Sequence, residues 1–126
     1  QVTRGREACD MPSRRWNKPS IMLQCEANYS NAHGTPWVYK HQHIGRLVGM
    51  PVPGTMTTVS WETLQDPTLV FGTPITGYRL SDGSYLENTQ LETDVKVANS
   101  PETVVKGEDT QLRTAVNELL KEIDKK

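Results

Sequence analysis

The spacing of apolar residues changes once along the chain, at Asp109, and this change is the strongest constraint on the fold. After Asp109, apolar residues recur at intervals of three and four, as on one face of an α-helix. They are Leu112, Ala115, Val116, Leu119, Leu120 and Ile123. Before Asp109, the apolar runs are short and are separated by proline and glycine. The sequence therefore predicts a terminal helix that follows a region of several strands.

Six segments in that region have the length or the alternation of β-strands. They are residues 20–26, 46–52, 56–64, 74–80, 84–88 and 93–99. Between 74–80 and 84–88, the pair Asp82-Gly83 favours the positive φ of a tight hairpin.

A further helix is expected between the first two strands. Thr35 can cap it and Pro36 can occupy its first position, while Gly45 can end it. The resulting order of strands and helices predicts a mixed α/β fold. We expect residues 1–18 to be an irregular lead-in and residues 19–126 to form one domain.

Charge and composition exclude several classes of function. The chain has 126 residues and a net charge of −1, which gives no electrostatic reason to bind nucleic acid. No apolar stretch is long enough to span a membrane. Cys9 and Cys25 could pair, but two cysteines do not form a disulfide framework, and free thiols are expected. Because the chain begins with Gln1 and not with methionine, we expect it to be part of a longer protein.

Ser30 is the first candidate for chemistry, because it lies where an apolar run ends and a helix could begin. A hydroxyl there is close to unpaired backbone N–H groups, which could stabilise an oxyanion during acyl transfer. Spacing alone favours a simpler interpretation, in which Ser30 caps the helix. Asn28–Ser30 also match an N-glycosylation acceptor, a short pattern to which we give no weight.

Histidines and a glutamate are the other candidates. His33 lies one helical turn after Ser30, but side chains from successive turns seldom converge, so it is a weak candidate for a general base. His41 and His43 have no cysteine or acidic partner at ligand spacing, so neither a metal nor a cofactor is expected. Glu87 directly follows Tyr85 and Leu86 in a strand and by period alone is an exposed strand residue.

Five segments, taken in order, resemble a known family. They are "NYSNAH", "LVGMPVPGT", "DPTLVFG", "YLENTQLETDVKV" and "GEDTQLRTAV". Together they resemble the C-terminal part of the catalytic region of the tail-specific, or C-terminal processing, serine peptidases, especially the tricorn-protease-like branch. The resemblance implies the C-terminal portion of a Clp-protease/crotonase-like fold, with a mixed sheet and flanking helices.

The resemblance also implies roles for three residues. In the family, the nucleophilic serine follows a strand and opens a helix, which corresponds to Ser30. The next residue lends its backbone N–H to the oxyanion hole and corresponds to Asn31, where relatives usually have aspartate. The acidic active-site residue corresponds to Glu87. Thr93 stands where relatives commonly have proline before Asp94.

The general base is the part that the chain lacks under this interpretation. In the Ser/Lys branch, a lysine follows the glycine of a "G-x-x-x-x-G-K" loop, but "GMPVPGT" places Thr55 there. The other branch takes a histidine and a second serine from an earlier subdomain. The resemblance thus implies that an upstream subdomain supplies the histidine and that the isolated chain is inactive.

The implied partners are a peptide or unfolded protein substrate, the upstream domains and, for completion of the sheet, a second copy of the chain. Relatives of this type are often exported, so the cell envelope or periplasm is the expected location. Two alternatives remain. One is a catalytically inactive peptide-binding or scaffold domain of the same fold, and the other is a structural domain in which Ser30 is only a cap.

Overall fold

The computed structural model describes the backbone of residues 2–4, 7–9 and 12–125, and the side chains of residues 12–125. Its elements are β1 (Val2–Arg4), β2 (Glu7–Cys9), β3 (Ile21–Gln24), α1 (Asn31–His41), β4 (Arg46–Gly49), β5 (Thr58–Thr63), β6 (Val70–Thr76), β7 (Val95–Lys96), α2 (Pro101–Val105) and α3 (Thr110–Ile123). The chain contains both strands and helices, and α1 lies between the neighbouring strands β3 and β4, so the predicted α/β class is confirmed.

A parallel sheet of three strands, in the order β3-β4-β7, forms the centre of the molecule. In its register, Leu23 pairs with Val48, and Val48 pairs with Val95. Parallel neighbours need a crossover, and α1 supplies it between β3 and β4. Leu47 and Val48 on the central strand are fully buried, as expected for a strand with neighbours on both sides.

The core lies against this sheet. Tyr39 of α1, Leu47 of β4 and the two bridge partners Val52 and Leu91 form one buried cluster, and Met22 packs against it. The core therefore connects β3, which precedes Ser30, with α1 and β4, which follow it.

The predicted bounds of the first helix were wrong. α1 begins at Asn31, four residues before Thr35, and ends at His41, four residues before Gly45. Pro36 lies in the helix interior and not at its first turn. Proline is tolerated there because the carbonyl that it leaves without a helical donor, that of Ala32, accepts a hydrogen bond from Asn28 Nδ2 at 3.0 Å.

The terminal helix is confirmed and contacts the sheet, although much of its apolar stripe stays about half exposed, at Leu112, Val116, Leu120 and Ile123. Asp109 caps α3 by accepting a hydrogen bond from the Leu112 N–H at 2.8 Å. Ala115 is buried, and α3 contacts β3 and β4. Arg46 of β4 donates to Glu118 at 2.6 Å, which fixes the helix to the sheet.

The hairpins differ from the predicted ones. The segment 56–64 contains β5, and its partner β6 begins four residues before the predicted strand 74–80. The predicted hairpin around 81–83 is reduced to one bridge, between Arg79 and Tyr85, with Gly83 at a φ of 90° in the turn. The first residues of β6 were not predicted as a strand, because the apolar residues of 67–73 have no clear alternation.

Two further differences are short elements. β1 and β2 form an antiparallel pair inside the lead-in of residues 1–18, for which no regular structure was expected. Strands of three residues are too short to show a period. α2 was also missed, although Ser100 accepts a hydrogen bond from the Thr103 N–H and Pro101 occupies the first turn.

Candidate active site

Ser30 lies in a strained turn between β3 and α1. Its φ of 55° and ψ of −116° fall in a region that residues other than glycine rarely adopt. Ser30 occupies the N-cap position, but its side chain makes no capping hydrogen bond. The capping interpretation of the sequence therefore does not describe this hydroxyl, which remains unengaged by the helix. A strained turn from strand to helix with a free hydroxyl is the geometry of a nucleophile elbow.

The start of α1 provides hydrogen-bond donors beside that hydroxyl. The Ser30 carbonyl accepts from the N–H groups of His33 and Gly34, at 2.8 and 3.1 Å, while the Ala32 N–H donates to Tyr29. The Asn31 N–H has no hydrogen-bond partner within residues 12–125. A free N–H at the positive end of a helix can bind an oxyanion.

Glu87 is held by the loop that follows β4. Its Oε2 accepts hydrogen bonds from the Met56 N–H at 2.7 Å and from the Thr57 hydroxyl at 2.8 Å. The Met56 N–H first, and then the Thr57 hydroxyl, lower the pKa of the Glu87 carboxyl below its ordinary value. Glu87 is therefore a carboxylate at neutral pH. No residue between 12 and 125 donates a hydrogen bond to its Oε1, which leaves that oxygen able to accept one.

The backbone around Glu87 is fixed as well. The Asn88 N–H donates to the Gly54 carbonyl at 2.7 Å. A Cβ at Gly54 would lie 2.1 Å from the Thr89 nitrogen, so only glycine allows this approach. Asn88 has a φ of 60°, which asparagine tolerates better than most residues. The pair Glu87-Asn88 thus combines a carboxylate with a residue suited to the turn that holds it.

His33 is fully buried under the first turn of α1. Neither ring nitrogen has a hydrogen-bond partner. Burial lowers the pKa of His33 below its ordinary value of 6.5, and the nearby Glu87 carboxylate and the Thr55 backbone raise it by less. His33 is therefore neutral at pH 7. It makes no hydrogen bond to Ser30, so the structure shows no base at the hydroxyl among residues 12–125.

An apolar cavity of about 550 Å³ opens beside Asn31. Its walls come from α1, from Met22 of β3 and from the segments around residues 56 and 78–86. They include Gly34, Trp37, Met56, Tyr78 and Leu86. A Cβ at Gly34 would approach Met56 Cε to 2.6 Å, so glycine permits the close packing of helix and loop. The cavity can enclose an apolar side chain next to the free Asn31 N–H.

The remaining candidates have structural partners. The His41 ring stacks on Trp37, with ring centroids 3.6 Å apart. Its Nδ1 also forms a hydrogen bond with the Trp37 carbonyl at 2.9 Å. Cys25 is a free thiol that donates to Asn28, whereas the side chain of Cys9 lies outside the described residues. Within residues 12–125, no three His, Cys, Asp or Glu side chains are grouped to hold a metal ion. No described helix has the length and apolarity to cross a membrane.

Sequence reasoning missed the residues that support the site. The Thr57 hydroxyl and the Met56 N–H donate hydrogen bonds to Glu87. The Asn28 side chain makes hydrogen bonds to the residues before and after the Ser30 turn. Asn28 was part of the glycosylation pattern and of the segment "NYSNAH", and neither gave it a role. The contacts of Glu87 are separated from it by about thirty residues of sequence, and no local pattern reports them.

Comparison with known proteins gives four findings. The model of peptidase family S41 matches residues 1–97. Among solved structures, the chain is similar to the tricorn protease, with a TM-score of 0.79 and 20% identity over 95% of this chain. It is also similar to mature CPAF, with a TM-score of 0.59 and 22% identity over 68% of this chain. The search of curated proteins found no match.

The chain spans 12% of the tricorn protease chain and 16% of the CPAF chain. At these identities the structural likeness shows the fold, and it confirms the α/β architecture that the sequence resemblance implied. The family model covers most of the chain, including β3, the Ser30 turn, α1 and Glu87. The chain therefore belongs to peptidase family S41, a family of serine peptidases.

Proposed function

We propose that this chain carries the nucleophile of a processing peptidase that hydrolyses peptide bonds through an acyl-enzyme on Ser30. The main support is the backbone of Ser30, a strained turn at which the hydroxyl makes no capping bond. Strain of about 1–3 kcal/mol persists only where the surrounding structure enforces it, and such positions cluster at active sites.

In the proposed reaction, Ser30 Oγ attacks the carbonyl carbon of a peptide bond while a histidine takes the hydroxyl proton. The carbonyl oxygen becomes negative and accepts a hydrogen bond from the Asn31 N–H. When the tetrahedral intermediate collapses, the C–N bond breaks and the leaving amine takes the proton from the histidine. Water then attacks the acyl-enzyme, with the same histidine as base, and releases Ser30.

The histidine in this proposal comes from an upstream subdomain, together with the second serine and the second oxyanion donor. Glu87 supports the assembly through the oxygen that its own loop leaves free. Thr55 cannot replace a lysine base, because a hydroxyl with an ordinary pKa does not accept a proton near pH 7. The apolar cavity beside Asn31 would hold an apolar side chain of the peptide or unfolded protein substrate.

A fluorophosphonate probe tests the proposal in the complete gene product. We expect the probe to label Ser30, and the Ser30→Ala variant to remain unlabelled. Ser60→Ala, which changes an exposed serine on β5, is the matched control and should label as the wild type does. Labelling that persists in Ser30→Ala would falsify the assignment.

The same experiment distinguishes the peptidase from the second candidate function, an inactive peptide-binding domain. A complete protein that folds, binds peptides and is not labelled at Ser30 would be the inactive peptide-binding domain. The isolated 126 residues are expected to show negligible turnover, because loss of the base costs several orders of magnitude in rate.

A further inference from the structure

The turn between β3 and α1 contains one side chain, that of Asn28, that makes hydrogen bonds at both ends of the turn. Asn28 Nδ2 donates to the Ala32 carbonyl in α1 at 3.0 Å. Asn28 Oδ1 accepts from the Cys25 N–H and from the Cys25 thiol, each at 3.3 Å. Cys25 directly follows β3. The amide of Asn28 therefore connects the end of the strand to the first turn of the helix across Ser30.

The Ala32 carbonyl needs this donor because of the helix sequence. In an α-helix each carbonyl accepts the N–H of the residue four positions later. For Ala32 that residue is Pro36, which has no N–H. The Asn28 amide donates to this carbonyl in place of the missing N–H, in a hydrogen bond that is exposed to solvent. Proline and asparagine thus act as a pair, in which Pro36 removes the helical bond and Asn28 provides the replacement.

The strain at Ser30 gives the pair a consequence for reactivity. Ser30 makes no side-chain bond to the helix, so its conformation depends on what fixes the residues around it. The bonds of Asn28 fix residues on both sides. We propose that Asn28 is a positioning residue, which acts through the turn to hold Ser30 Oγ and the Asn31 N–H in the geometry for acyl transfer. This inference rests on the proposed function of Ser30.

The rate of fluorophosphonate labelling in the complete gene product measures this positioning. In Asn28→Ala we expect the maximal inactivation rate to fall roughly tenfold or more, because small displacements of a nucleophile have large effects. The probe concentration at half-maximal rate should stay within about twofold of wild type, since Asn28 does not line the apolar cavity. Asn117→Ala, an exposed asparagine on α3, is the control.

A purely structural role predicts another result. In that case the labelling rate would fall only in proportion to the folded fraction, measured by near-ultraviolet circular dichroism on the same samples. That result, or an unchanged maximal rate, would overturn the inference while leaving Ser30 as the labelled residue. Failure of the proposed function would look different, because wild type itself would then not be labelled at Ser30.

Pro36→Ala provides an independent test, because it restores an N–H to the Ala32 carbonyl. In the Pro36→Ala background, we expect Asn28→Ala to slow labelling by less than about threefold. An equal loss in both backgrounds would show that the bond to Ala32 is not the cause. If Asn28→Ala alone does not fold, Asn28→Asp takes its place, because aspartate keeps an acceptor for the Cys25 N–H and lacks the donor for the Ala32 carbonyl. A maximal inactivation rate that falls roughly tenfold would support the inference, and an unchanged rate would contradict it.

Discussion

At the scale of single residues, the site combines one strained hydroxyl, one ionised carboxylate and one neutral imidazole. Glu87 is kept charged by hydrogen bonds, whereas His33 is kept neutral by burial. The two residues respond to acid in different pH ranges, because their unfolded pKa values are about 4.5 and 6.5. The pH dependence of stability can therefore report on each of them.

His33 should make the fold less stable as the pH falls below 6.5. In that range the unfolded chain binds a proton that the folded chain excludes, until the pH reaches the lowered pKa of the folded state. The loss is at most about 1.4 kcal/mol per pH unit for one proton. Urea denaturation at several pH values should show a shallower slope for His33→Leu. Gln42→Ala, at the exposed end of α1, removes no titratable group and should keep the wild-type slope, and an unchanged slope in His33→Leu would contradict the account.

At the scale of elements, Asp94 connects the sheet to α1. Its Oδ2 accepts the Leu47 N–H of β4 at 2.8 Å, and its Oδ1 lies 3.0 Å from Lys40 Nζ of α1. Burial raises the pKa of Asp94, but the Leu47 N–H and Lys40 outweigh this effect and leave the pKa below its ordinary value. The carboxylate thus adds a hydrogen bond to β4 next to the point where β4 begins to pair with β7.

Asp94→Ala should lower the free energy of unfolding by about 1–3 kcal/mol, because it leaves the N–H of the fully buried Leu47 without a partner. Lys40→Met is the matched variant, since it removes the partly exposed ion pair and leaves the bond to the Leu47 N–H, and it should cost less than about 1 kcal/mol. Urea denaturation followed by far-ultraviolet circular dichroism measures both. Equal losses would mean that the ion pair, and not the strand bond, carries the effect.

At the scale of the whole molecule, much apolar surface is left uncovered. The described residues bury eight apolar side chains, all in or near the central sheet. The β5–β6 ribbon, by contrast, exposes large side chains on both strands, including Trp61 at 65% and Phe71 at 57%. Exposed apolar surface of this extent is typical of an interface.

The isolated chain should therefore self-associate. Light scattering is expected to give a mass above the 14.2 kDa of one chain, and Trp61→Ser/Phe71→Ser should shift the mass toward the monomer. Thr73→Ala, an exposed residue on β6 with little apolar surface, serves as the control. A monomeric mass for the unmodified chain at high protein concentration would contradict the prediction.

The sequence predicted the elements whose pattern is local and failed where contacts are distant. The stripe of α3 and the apolar runs of β3 and β4 have periods that can be read directly, and both were found. The start of α1 was misplaced because the donor that allows Pro36 inside the helix is Asn28, outside the helix. The partner of β5 could not be predicted, because strand pairing is a property of the folded ribbon.

The same limit applies to the candidate site. Ser30, Asn31 and Glu87 came from a family resemblance, and their roles remain predictions. Periodicity alone gave Ser30 as a cap and Glu87 as an exposed strand residue. The bonds from Met56 and Thr57 to Glu87, and the burial of His33, depend on the packing of a loop against α1. No spacing rule in one sequence contains that information.

The backbone conformation of residue 30 also has an evolutionary meaning. Glycine adopts a φ of 55° without steric cost, so a lineage that no longer needed the hydroxyl could replace serine by glycine and become more stable. The serine therefore keeps its oxygen atom in a conformation whose strain glycine would not have.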